Sequence, residues 1–419
     1  MDVKISPHSL SGSLSAITSK SDAHRAFICA SLAESKTKIR IDNTSKDIDA
    51  TISCIEAMGG KVERDGCFFI VSPISRNKIS PVLDCNESGS TLRFLFPLAN
   101  LVCKNPTFIG KGRLPERPLS ELCREMVYHG CEIFGDTLPL TTNGRIRGGA
   151  YRLAGNISSQ FVSGLLFALP LCEEDSKIIL TSPLQSKGYV NMTLATLKLF
   201  GIEICEAENE YIIKGNQKYI SPKQLAPEGD WSNSAFWLCA GAMNGEIKID
   251  NLNFDSFQGD KQIITILESF GAKVSKGRND VHLKTGKLSK IQLDCTDIPD
   301  LVPIISAVAA VSDGQTILTG VERLKIKESD RLKAVTETLS ALGADVYVEG
   351  DSRLVINGKT KLKGGKVHSF NDHRIAMMAA IAGTVCSKDV IICGAEAVEK
   401  SYPDFFEHYR QLGGVFDVI

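Results

Sequence analysis

The chain has 419 residues, 43% hydrophobic and 23% charged, which excludes a disordered polypeptide and predicts several folded domains at roughly 100–200 residues each. Forty-eight Lys and Arg against 49 Asp and Glu leave a formal net charge of −1, which argues against a dedicated nucleic-acid binder. Thirteen cysteines, an odd count with no C-x-x-C spacing, exclude a zinc ribbon, a thioredoxin-type motif and a fully paired disulfide framework, and read as buried reduced thiols.

The N-terminal Met-Asp-Val-Lys-Ile carries no apolar h-region or Arg/Ser-rich presequence, and a cytoplasmic protein is expected. After a short strand at Val3–Ser6 the predicted elements recur in one order. An apolar helix at Asp22–Ala33 is followed by an amphipathic helix at Lys46–Met58, then Gly59, then strands Lys61–Arg64 and Cys67–Val71 around an Asp65-Gly66 turn. The order returns with Ser90–Val102, Pro118–His129 and Gly130, and again with Gln160–Leu171, Val190–Phe200 and Gly201. Next come Ser234–Met243, Asp260–Phe270 and Gly271, with strands Lys273–Ser275 and Val281–Leu283. Asp300–Val311, Arg331–Leu342 and Gly343 follow, with strands Asp345–Val348 and Arg353–Ile356. His373–Val385, Pro403–Leu412, Gly413 and a last strand, Val415–Ile419, close the chain. The most apolar stretches, Phe161–Cys172 and Leu301–Val311, are too short for a membrane span of ~20 residues.

The six glycines stand 71, 71, 70, 72 and 70 residues apart, each where a helix needs a left-handed cap. The sixth unit lacks a strand, and Val3–Ser6 is expected to complete it. Six units make two lobes of three, Ser19–Pro227 and Glu228–Ile419 with Met1–Thr18, and a cleft between them is the expected ligand site.

Polar motifs cluster where the helices begin. They include Ser19-Lys20-Ser21-Asp22-Ala23-His24-Arg25, Glu87-Ser88-Gly89-Ser90-Thr91-Leu92-Arg93, Ser158-Ser159-Gln160, Ser186-Lys187-Gly188-Tyr189, Lys327-Glu328-Ser329-Asp330-Arg331 and Asn371-Asp372-His373-Arg374. Taken singly, Ser21, Ser159 and Asp260 read as helix caps, Asp300 as the cap of an apolar helix, and His373 as structural. Capping does not account for Lys20, Arg25, Arg117, Lys327, Arg331, Arg374 and Lys400, because cations are disfavoured at a helix N-terminus. As a group they predict a small ligand rich in phosphate and carboxylate.

These strings, above all Lys327-Glu328-Ser329-Asp330-Arg331-Leu332, Asn371-Asp372-His373-Arg374 and Ser158-Ser159-Gln160-Phe161, resemble the 5-enolpyruvylshikimate-3-phosphate synthase family of enolpyruvyl transferases from Lys20 to Asp404. The resemblance implies an α/β (α+β) fold of two lobes, each of three βαβαββ repeats with inner buried helices, an inside-out α/β barrel. It implies transfer of the enolpyruvyl group of phosphoenolpyruvate to the 5-hydroxyl of shikimate 3-phosphate, releasing phosphate, without metal or cofactor; two lobes facing each other need no partner chain, and a monomer is expected. By motif, Lys20, Ser21, Arg25, Ser158, Ser159, Gln160, Ser186, Tyr189, Asp300, Arg323 and Lys327 would hold shikimate 3-phosphate. Lys20, Gly89, Arg117, Gln160, Arg331, Arg374 and Lys400 would surround phosphoenolpyruvate. Glu328 is the candidate acid and base at the methylene carbon, and Asp300 with Lys20 the candidate base at the hydroxyl.

Two positions depart from the family's pattern: Glu87 where Asn is common, and Arg323 where some members have Asn. Gly89 implies a pocket open to the inhibitor glyphosate. Three rival readings share some of these features. A UDP-N-acetylglucosamine enolpyruvyl transferase would carry a cysteine in the loop at Gly112–Pro118, and none is there. An RNA 3′-phosphate cyclase-like protein would carry a basic surface, and a catalytically dead binding module would have lost part of the Lys20, Asp300, Glu328 and Arg374 set.

Overall fold

The computed structural model describes residues 1–75 and 78–419. Six four-stranded sheets share one strand order, first-second-fourth-third, in which the first two strands run parallel and the remaining neighbours antiparallel. Two helices accompany each sheet. They are α1 (Lys20–Leu32) and α2 (Lys46–Ala57), α3 (Gly89–Val102) and α4 (Ser120–Tyr128), α5 (Ser159–Ala168) and α6 (Lys187–Leu199), α7 (Trp231–Asn244) and α8 (Ile263–Phe270), α9 (Val302–Ala310) and α10 (Arg331–Ala341), and α11 (His373–Gly383) and α12 (Phe405–Gln411). The first helix of each pair is apolar around most of its circumference and buried along nearly its whole length, as α3, α7 and α11 show. The second is amphipathic, with its apolar face on the sheet.

The chain divides into two compact units, Thr18–Pro227 and Met1–Ile17 with Glu228–Ile419. The boundaries at Ile17/Thr18 fall one residue before the expected Thr18/Ser19. Each unit has its own hydrophobic core, built around Phe94, Phe96, Phe161 and Phe167 in the first and Trp231, Trp237, Met377 and Phe405 in the second. In the first unit, α3 and α5 touch so closely that a Cβ on Gly164 would overlap the Arg93 carbonyl.

The N-terminal strand lies where the repeat count placed it. Asp2–Ser6 pairs antiparallel with both Val390–Cys393 and Val415–Val418, in the middle of the sixth sheet. Among the strands that the sequence reading did not place, two complete sheets begun elsewhere in the chain. Leu10–Ser15 pairs parallel with Gly245–Asp250 as the first strand of the fourth sheet, and Gln224–Leu225 does the same beside Thr37–Arg40 in the first. Neither has a clean apolar alternation, since Leu10–Ser15 is mostly Ser and Gly and Gln224–Leu225 is only two residues long.

Several helix ends moved. The helix expected over Gln160–Leu171 stops at Ala168, and Leu169–Leu171 forms a 3-10 turn because Pro170 has no N–H. Likewise Gly259–Gln262 is a 3-10 turn ahead of α8. The caps are Ser19, Ser88, Ser158, Asp230, Asp330 and Asp372, so Ser21, Ser159 and Asp260 are not the caps they resembled. Asp300 is no cap either: α9 starts at Val302 with Leu301 before it, and the Asp300 carboxylate faces arginines. All thirteen cysteines are unpaired thiols, with only Cys205 exposed. No helix among the described residues is long and apolar enough to cross a membrane.

Candidate active site

In the second unit the sequence-selected residues converge on one carboxylate. Asp300 Oδ1 accepts from Arg331 Nη1 at 2.7 Å and lies 3.5 Å from Lys327 Nζ, while Oδ2 lies 3.3 Å from Arg374 Nη2. Arg331, 1% exposed, also reaches Glu328 Oε2 at 2.6 Å. Its Nε donates to Asp372 Oδ2 at 2.7 Å and its Nη2 to Asp372 Oδ1 at 3.3 Å. Asp372 is fully buried, accepts from Ser329 as well, and caps α11 through the Arg374 N–H. One arginine therefore ties the starts of α9, α10 and α11 together. His373 is buried at 1% exposure, its Nδ1 3.9 Å from Asp372 Oδ1.

The charges act strongly on one another. Burial alone would raise the Asp300 pKa, but Arg374, Lys327 and Arg331 outweigh it and hold the carboxyl well below the usual range. Burial lowers Lys327 to about 8, with Asp300 opposing and Arg323 assisting. Arg331 stays charged against burial because Asp372, Glu328 and Asp300 surround it. Arg323 sits in the 3-10 turn Glu322–Ile326, close enough to act on Lys327. Lys400, 7% exposed, donates to the Asn371 carbonyl at 2.6 Å, next to the same turn of chain as Asp372 and Arg374.

In the first unit the candidates fall into smaller groups. Lys20 Nζ pairs with Asp47 Oδ2 at 2.8 Å, both side chains about 15% exposed. Arg25 is 2% exposed, and its guanidinium donates to Thr193 Oγ1 at 2.8 Å, to the Tyr189 carbonyl at 2.7 Å and to the Ser21 carbonyl. Arg25 thereby locks α1 to α6. Burial also brings its pKa down to about 10. Ser186 precedes α6 with a left-handed backbone, φ 57°, and its carbonyl accepts from the Tyr189 N–H. Ser158 caps α5, with Ser159 buried beside it. Gln160 accepts from Arg93 at 2.8 Å and donates to Ser90 at 2.9 Å. Gly89 opens α3 directly against Arg117, whose Nη1 lies 2.6 Å from where a Cβ would stand. Glu87 packs its carboxylate against Gly112.

Four partners were missed as site members. Asp372 and Arg93 stood inside the quoted motifs, so position could have flagged them. Asp47, in the first turn of α2, and Thr193, within α6, lay outside every quoted motif. Their importance comes from contacts with Lys20 and Arg25 across elements.

Sequence comparison decides the family. The EPSP synthase (3-phosphoshikimate 1-carboxyvinyltransferase) family model matches residues 5–409. The chain belongs to the EPSP synthase family. A 3-phosphoshikimate 1-carboxyvinyltransferase from Clostridium novyi is 44% identical over 99% of this chain and 98% of its own length. One from Clostridium acetobutylicum is 45% identical over 98% of this chain and 97% of its own. Among solved structures, EPSP synthase from Acinetobacter baumannii superposes with a TM-score of 0.83 at 24% identity, covering 99% of both chains. The enolpyruvyl transferase NikO from Streptomyces tendae gives 0.80 at 16%, covering 99% of this chain and 98% of its own, and shares the fold. The mixed α/β architecture is thus that of the enolpyruvyl transferases, and the named relatives support an EPSP synthase over the UDP-N-acetylglucosamine alternative.

Proposed function

We infer that this protein is a 3-phosphoshikimate 1-carboxyvinyltransferase, transferring the enolpyruvyl group of phosphoenolpyruvate to the 5-hydroxyl of shikimate 3-phosphate with release of phosphate. Full-length identity of about 44% to enzymes of that name supports this reading. The observation in the molecule that carries it is the Asp300–Glu328–Arg331–Arg374 cluster: two carboxylates for proton transfer, set among cations suited to anionic substrates. The named groups all come from one chain, and we propose that a monomer suffices.

The reaction needs a proton removed from the 5-hydroxyl and one added to the methylene carbon, then a proton taken from the new methyl as phosphate leaves. Asp300 is ionised at any working pH, because its three cations hold it so. That makes it ready to accept a proton but weakly basic. Substrate anions drawing on Arg374 and Lys327 would relax this hold and strengthen it as a base. Glu328 acts at carbon, its carboxylate aimed by Arg331. Lys20, Arg117 and Lys400 serve the departing phosphate. Shikimate 3-phosphate is held by Ser21, Ser158, Ser159, Gln160, Ser186, Tyr189, Arg323 and Lys327, with Arg25 fixing α1 and α6 behind them. Glyphosate competes for the phosphoenolpyruvate site beside Gly89.

Phosphate release from phosphoenolpyruvate, followed with and without shikimate 3-phosphate, tests the assignment. Release should require both substrates; release independent of shikimate 3-phosphate rejects it. Glu328→Gln should bind both substrates and lose turnover by about 10²–10⁴-fold. Near-normal turnover would remove Glu328 from the chemistry.

A further inference from the structure

Next to the Asp300 cluster lies a carboxyl that the reaction does not use. Asp260, in the turn Gly259–Gln262, is 1% exposed. Ser232 Oγ, in the first turn of α7, donates to its Oδ2, while its Oδ1 is buried without a hydrogen-bond partner. The cations of the cluster pair with other carboxylates: Arg331 with Asp300, Glu328 and Asp372, and Arg374 and Lys327 with Asp300.

Charged groups act on Asp260 from three neighbouring segments. Asp230 stands at the start of α7, Asp300 ahead of α9, and Arg374 in the first turn of α11. Lys261, beside it in the chain, turns its ammonium to the Phe254 carbonyl, and Asp297, whose carbonyl faces Gly259, is exposed. Burial first, then repulsion from Asp300, push the carboxyl up to about 6 against the pull of Arg374. A buried carboxylate short of donors is costly as an anion.

We propose that Asp260 is a positioning residue for phosphoenolpyruvate: it takes up a proton from solvent when the substrate anion settles on Arg331 and Arg374, and returns it when the site empties. The proposal rests on the phosphoenolpyruvate reading above. The physical reason is competition for Arg374. An ionised Asp260 places a second negative charge in that arginine's field, so the substrate anion binds less well; a neutral one leaves the field to the substrate. Linkage makes the effect reciprocal: the factor by which protonation strengthens binding is the factor by which binding strengthens proton affinity. This proton is distinct from the one delivered to the methylene carbon, and whatever binding takes up is returned when the site empties.

The test is the KM for phosphoenolpyruvate from pH 5.5 to 8.5 at saturating shikimate 3-phosphate, in the wild type and in Asp260→Asn. The substrate's phosphate titrates near pH 6 as well, and taking the ratio of the two proteins removes that contribution. The wild-type to Asp260→Asn ratio of KM should rise about tenfold from acid to alkaline pH, the equivalent of one pKa unit, with a level ratio of kcat. A level ratio of KM in active enzymes overturns the proposal. Should Asp260→Asn fail to fold, Ser232→Ala serves. Removing the donor to the ionised carboxyl should move the break in KM to higher pH by about one unit, and an unmoved break overturns the proposal. A wild type without any shikimate 3-phosphate-dependent turnover overturns the functional reading and this inference with it.

Discussion

Arg331 shows how one side chain can organise a site. Its guanidinium meets Asp300, Glu328 and Asp372, so it is held charged and immobile, 1% exposed. Leaving three carboxylates without it would be destabilising as well as inactivating. Gly89 shows the opposite device, a side chain withheld. An added Cβ would stand 2.6 Å from Arg117 Nη1 and 2.8 Å from Cζ. Gly89→Ala should therefore displace the guanidinium. We expect about a tenfold higher KM for phosphoenolpyruvate, about 1.4 kcal/mol of binding, and weaker inhibition by glyphosate. An unchanged glyphosate inhibition constant would show that Gly89 does not border that pocket. Both residues stood in motifs that marked them as site candidates. Asp260 was legible only as a helix cap, because a sequence does not show that Ser232 and Asp300 come to stand beside it.

The repeat glycines belong to the scale of elements. All six, Gly59, Gly130, Gly201, Gly271, Gly343 and Gly413, adopt positive φ, between 75° and 102°. That is the conformation a helix-terminating residue needs and a Cβ disfavours. Gly413 isolates the backbone effect, since a Cβ there would meet nothing within 4 Å. Gly413→Ala should lower unfolding stability by about 1 kcal/mol without changing the urea m-value. Gly59→Ala should cost more, because its Cβ would also press on Ser75. Urea titrations of the two variants side by side check both expectations, and equal losses would show that the Ser75 contact yields freely. Helix type and order were legible here because the apolar periodicity of the inner and outer helices differs. Several helix starts were not, since α9 and α8 begin where tertiary contacts take Asp300 and Asp260 away from capping.

At the scale of the whole molecule, the chain's ends and crossings complete each unit's sheets. Asp2–Ser6 is an interior strand, bonded on both edges, and Leu10–Ser15 supplies the parallel neighbour of Gly245–Asp250. Deleting residues 1–15 would strip two sheets of the unit that carries Asp300, Glu328 and Arg374. Such a truncation should lose the near-ultraviolet signal of Trp231 and Trp237, which are buried in that unit's core. The core around Phe94 and Phe161 should persist as a separate protease-resistant fragment. A truncated chain with unaltered tryptophan signal and activity would show that these strands are dispensable.

The sequence by itself determined the six-fold repeat, the two kinds of helix, the place of the first strand and the motifs that carry charge. These are local or periodic properties: a glycine past a helix, an apolar stripe, a cation at a helix start. Tertiary structure alone decided which charge meets which. Arg25 is engaged by Thr193 and Tyr189, Lys20 by Asp47, and Arg331 by carboxylates from three helix starts. Those pairings join residues up to 168 positions apart. Their energies depend on burial and on distances of a few ångströms, and neither is written in the spacing of residues along the chain.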